Sequence, residues 1–66
     1  MTHEEVLAAV REKPHSTARD VAVTLGISTR RTTVSLVRHY LERLESQGRV
    51  QRTRESPSAA WQWEEA

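Results

Sequence analysis

Apolar residues recur at helical spacing three times along this chain, and the rhythm then shifts to alternation near the C-terminus. Val6, Leu7 and Val10 form the first stripe, which predicts a helix over residues 2–13. Thr2 is placed to cap it, with Glu5 three residues on as the reciprocal partner, and Pro14 stops it. Val21, Ala22 and Leu25 form the second stripe, predicting a helix over residues 18–25 capped by Thr17 with Asp20. Gly26 can adopt the left-handed conformation that ends a helix, Ile27 tucks back as an apolar anchor, and Ser28 offers a new cap. Val34, Val37, Leu41 and Leu44 form one seam of a longer helix over residues 29–47, closed by Gly48. Leu36 and Tyr40 flank that seam, with core packing as their first role and a dimer contact as the second.

Period two replaces this rhythm in Arg49-Val50-Gln51-Arg52-Thr53-Arg54, which predicts a strand with Val50 inward and Arg52 and Arg54 further out on the same side. Residues 55–60, with Ser-Pro-Ser, read as the turn, and Trp61-Gln62-Trp63 as the return strand, giving a hairpin over residues 49–63. Both Trp side chains are expected to cover the open side of a three-helix core; contact of Trp61 with a nucleic acid is the alternative. Residues 64–66 read as a frayed acidic end. His15-Ser16-Thr17 is a short connector.

The run Asp20-Val21-Ala22, Leu25-Gly26-Ile27-Ser28, then Leu41, Leu44, Gly48 and Val50 resembles the helix-turn-helix of winged-helix DNA-binding proteins. The resemblance extends from Val6 to Trp63. It implies a mainly α fold in which three helices carry a two- or three-stranded wing, as one domain over residues 1–66. It also implies that His15 can be a strand residue pairing with the wing. The segment from Gly26 to Gly48 is longer than usual in such proteins. Either the recognition helix has extra turns, or the turn before it is longer and the helix is capped at Thr32 or Thr33.

Charge sharpens this picture. The net charge of +1 says little, but its distribution is uneven. Residues 1–26 carry three basic and four acidic groups, a net of −1; residues 27–54 carry seven Arg and two Glu, a net of +5; residues 55–66 carry three Glu, a net of −3. Positive charge concentrated on the third helix and the following strand is the footprint of a phosphate-binding surface. The competing account is a solvated helix face with Arg–Glu pairs such as Arg38–Glu42.

The start of a recognition helix is what enters a major groove, so the candidate DNA contacts there are Ser28, Thr29, Arg30, Arg31, Thr32, Thr33, Ser35 and Arg38. Arg can bridge guanine O6 and N7, whereas Thr and Ser suit phosphates or base edges. Ser28 also has the simpler role of cap. Arg30, angularly close to Val34 on a helix begun at Thr29, can instead pack its stem inward. Arg52 and Arg54 on the wing are expected to hold phosphates or reach into the minor groove.

Other chemistries find little support. The chain has no Cys, so neither a disulfide framework nor a thiolate metal site is available, and its three His show no ligand spacing. It lacks a GxSxG, a Gly-rich phosphate loop and an HExxH, and sixty-six residues leave little room for a ligand-sized cleft. No metal, cofactor, small-molecule substrate or enzymatic activity is therefore expected. No apolar run approaches the ~20 residues that cross a bilayer, and the default location is the cytoplasm, or the nucleoid in a bacterium. The expected function is binding of duplex DNA as a small transcriptional regulator, with a homodimer as a plausible arrangement. The alternative is a winged-helix protein-interaction module in a larger nucleic-acid-processing assembly, using Leu36, Tyr40 and the Trp hairpin.

Overall fold

Side chains at the helix starts and glycines at the helix ends set the frame of the computed structural model, which describes residues 1–66. α1 (His3–Glu12) and α2 (Ala18–Leu25) each begin with a reciprocal capping box. The Thr2 hydroxyl accepts from Glu5 N–H at 3.2 Å while the Glu5 carboxylate accepts from Thr2 N–H at 3.0 Å. Thr17 and Asp20 repeat the exchange, both at 3.1 Å. Each box satisfies two backbone donors that a helix start would otherwise leave open.

α3 (Arg31–Ser46) starts differently. Its N-cap position is Arg30, whose side chain makes no capping bond. The Ser28 hydroxyl instead accepts from Arg30 N–H at 3.1 Å, closing a small turn two residues before the helix. Ser28 is thus not the cap of a helix begun at Thr29, and the helix does not wait for Thr32 or Thr33 either. The long Gly26–Gly48 segment resolves into a turn over residues 26–30 and a helix of 16 residues.

Gly26 (φ +70°) and Gly48 (φ +73°) end α2 and α3 in the left-handed conformation. Ile27 N–H reaches Ala22 O at 3.1 Å and Gly26 N–H reaches Val23 O at 3.0 Å; Arg49 with Leu44 and Gly48 with Glu45 repeat the pattern at 3.0 and 2.9 Å. These are two Schellman ends, each folding the next apolar residue back onto its helix.

β1 (Val50–Thr53) and β2 (Gln62–Glu65) pair antiparallel, with Arg52 opposite Trp63 and Val50 opposite Glu65. The pairing therefore continues past Trp63, and the C-terminal residues expected to fray are tied down. Gln51 Nε2 donates to Glu64 at 3.0 Å, Glu65 pairs with Arg11, and Ala66 N–H donates to Arg49 O at 3.1 Å. The third strand shrinks to a single bridge made by Ser16: Trp63 N–H donates to Ser16 O at 2.7 Å and Ser16 N–H to Trp63 O at 3.2 Å. His15 takes no part in that pairing. It holds a left-handed φ of +62° that turns it outward, with Nε2 3.5 Å from a Glu64 oxygen.

Val6, Leu7 and Val10 of α1, Val21 and Ala22 of α2, and Val37, Leu41 and Leu44 of α3 close over Val50 and Trp63. The architecture is three helices with a two-stranded wing, as a winged helix requires. Two expectations fail. Trp63 is 1% exposed and belongs to the core, but Trp61 is half-buried and stays outside it. Leu36 is 48% exposed, because at the 100° helical step it points away from the Val37–Leu41–Leu44 side. Tyr40 packs against the core edge, its ring stacked 4.5 Å from His3 and its hydroxyl donating to Met1 O at 3.3 Å.

Candidate nucleic-acid interface

Burial divides α3 by face. With Val37, Leu41 and Leu44 inward, Arg31, Ser35 and Arg38 recur at i, i+4 and i+7 on an exposed stripe. Ser28, Thr29 and Arg30 are exposed in the preceding turn, Thr32 is exposed in the first helical turn, and Thr33 is half-buried. Arg30 lies before the helix and does not pack its stem inward.

The wing meets this helix across an open groove of about 230 Å³. Val34 and Arg38 supply one wall, Ala60, Trp61 and Trp63 the other, and Thr17, Ala18 and Arg19 at the start of α2 close the end. The lining is mostly apolar, and Arg19 and Arg38 are its charged members. The Arg54 guanidinium carbon stands 4.1 Å from the centroid of a Trp61 ring, so Arg54 joins Arg38 and Arg19 around the same indole. Arginines from three separate stretches, α2, α3 and the wing, thus share one surface with Trp61.

Ion pairing separates the arginines into two groups. Arg49 makes a forked contact to Glu4, at 2.7 and 3.2 Å, and Arg11 pairs with Glu65. The Arg49 hydrogen bond and charge hold the Glu4 carboxyl below its ordinary range, and the same bond raises Arg49. Arg52 lies 3.3 Å from Glu45 and 3.8 Å from Glu42. No carboxylate lies within ion-pair distance of Arg19, Arg30, Arg31, Arg38, Arg43 or Arg54, of which Arg43 alone lies in the C-terminal half of α3. The Arg38–Glu42 pair that would have made the stripe a neutralised face does not form; Glu42 turns to Arg52 and, at 4.0 Å, to His39.

Two of the expected roles are thereby redistributed. Arg52 is two-thirds buried at its side chain and engaged by carboxylates and rings, whereas Arg54 is free. Arg19, absent from the sequence-based set, lines the groove. Its position in the first turn of α2, where backbone N–H groups and the helix dipole favour an anion, was the available signal. No group of three or more His, Asp or Glu converges as a metal site, and no helix is long and apolar enough to cross a membrane.

Against known families, the model described as FaeA-like protein matches residues 2–64. No curated protein matches the chain.

Proposed function

The chain belongs to the FaeA-like protein family, a winged-helix-like helix-turn-helix family, and from this we propose that it binds double-stranded DNA as a small transcriptional regulator. The observation that carries the proposal is the set of unpaired arginines gathered around Trp61 from α2, α3 and the wing tip. In this reading the N-terminal half of α3 enters the major groove, where Arg31 and Arg38 reach base edges and Thr29, Thr32 and Ser35 meet phosphates or bases. Arg19 and Arg54 hold the backbone on either side. The protein-docking alternative keeps Leu36 and part of Trp61 as exposed apolar surface, while Tyr40 is engaged by His3 and Met1 and Trp63 is buried.

Fluorescence anisotropy of a labelled duplex, repeated across salt concentrations, tests the proposal. Each neutralised phosphate adds about −0.9 to the slope of log K on log salt, so a steep negative slope is expected. Arg54→Ala should weaken all sequences alike and flatten the slope by about one unit, whereas Arg31→Ala and Arg38→Ala should change sequence preference. A flat salt dependence, or no binding to any duplex, overturns the reading. The stoichiometry of the same titration tells whether one copy or a pair occupies each site.

A further inference from the structure

We propose that Arg52 is a positioning residue: it clamps the wing to the C-terminal half of α3 and thereby sets the groove between Trp61 and the N-terminal half. The inference rests on the duplex-binding reading above and assigns Arg52 a role other than phosphate contact.

Four contacts converge on this one guanidinium. Its Nε lies 3.3 Å from a Glu45 oxygen and its terminal nitrogen 3.8 Å from Glu42, both on α3. Its central carbon stands 5.5 Å from the Trp63 ring and 4.9 Å from the Trp61 ring. It therefore touches the helix, the buried anchor of the wing and the half-exposed ring at the groove at once. Arg38, Glu42 and Glu45 recur at i, i+4 and i+7, so they share the helix side that carries the groove wall. Along that side the clamp holds the wing at Glu42 and Glu45, and the groove opens at Val34 and Arg38. Only a planar, delocalised cation can pair with carboxylates at its edge while stacking on an indole with its face. Such a group, already facing two carboxylates, is poorly placed to attract a phosphate.

The inference inverts the usual sign of a charge substitution. Removing a carboxylate close to a DNA-binding face ordinarily strengthens binding, because repulsion with phosphate is relieved. Here Glu45→Gln and Glu42→Gln release the clamp, so the double variant should bind a duplex roughly fivefold more weakly, with little change of salt slope. Arg52→Lys keeps the charge but loses the fork and the stack, and should weaken binding similarly. Phosphate contact by Arg52 predicts the opposite for both: Lys is tolerated, and the Gln variant binds more tightly with a steeper slope.

The experiment combines duplex affinity across salt with backbone ¹⁵N relaxation of the DNA-free protein, since the surface Glu→Gln changes leave the buried core untouched. The proposal expects residues 53–61 to lose order in the Gln double variant and in Arg52→Lys, together with weaker binding. Tighter binding by the Gln variant, or unchanged order at residues 53–61, overturns it. If the wild-type protein binds no duplex, the duplex reading fails on its own, and the relaxation data alone still decide whether the clamp exists.

Discussion

The base of the wing and its tip are built from the same residue types and use them in opposite ways. At the base, Trp63 is buried in the core, Arg52 is held by Glu42 and Glu45, and Arg49 is tied to Glu4 on α1. At the tip, Trp61 stands half-exposed and Arg54 lies over it with no carboxylate partner. The difference follows from where the acids are. The carboxylates that pair with arginines sit on α1, on the C-terminal half of α3 and on β2, and residues 27–41 contain none. Asp20 and Glu55, though next in sequence to Arg19 and Arg54, make no ion pair with them. Arginines near the base therefore become braces, and those at the tip and along the start of α3 keep their charge available. A charge count alone cannot separate the two uses; the pairing partners do.

The comparison breaks most visibly at the tryptophans. Trp63→Ala should cost about 3–5 kcal/mol, since it empties the largest fully buried side chain. In a chain this small that approaches the whole stability, and urea unfolding should find the variant largely unfolded at 25 °C. Trp61→Ala, by contrast, should keep the fold, losing about 1 kcal/mol with its cation–π contacts, while duplex affinity falls. Equal losses of stability at the two positions would erase the distinction between base and tip.

The arginines sharpen it. Arg38→Ala should leave urea stability within about 0.5 kcal/mol of the parent, and Arg54→Ala within about 1 kcal/mol, since neither has a carboxylate partner and Arg54 loses only its contact with the half-exposed Trp61 ring. Their effect should appear in DNA affinity. Arg49→Ala should do the reverse, leaving affinity nearly unchanged and altering stability.

The smallest effect is in pH. Arg49 holds the Glu4 carboxyl below its ordinary range, so this ion pair contributes stability fully present above the unfolded pKa, roughly 4.3 for Glu. The contribution is lost as pH falls through the lowered folded value. The melting temperatures of the parent and Arg49→Ala should differ most above the unfolded value and draw together as pH falls through the lowered folded one. A constant offset across that range would show that the pair contributes nothing pH-dependent.

Local chemistry made the helices legible in the sequence. Thr2 with Glu5 and Thr17 with Asp20 announced two helix starts, and Gly26 and Gly48 announced two ends, because each acts through neighbours a few residues away. The start of α3 was not legible, since Ser28, Thr29, Thr32 and Thr33 offered competing caps and the helix uses none of their side chains. Arg54 could be assigned to the wing from alternation alone. The separate fate of Arg52 could not, because Glu42 and Glu45 lie seven or more residues away and meet it only across the packed wing. The strand residues Glu64 and Glu65 were hidden for the same reason: their partners are Gln51, Arg11 and His15.

The central claim is that Arg19, Arg31, Arg38 and Arg54, which have no carboxylate partner, serve one DNA-facing surface, whereas Arg11, Arg49 and Arg52 brace the fold through their carboxylates. An amide-shift titration with a random-sequence duplex tests it most directly. The account predicts that residues 28–38, Arg19 and residues 54–61 respond together, while Glu4, Arg11, Arg49 and Glu65 stay still. Shifts confined to the braced residues, or scattered without a common face, would contradict it.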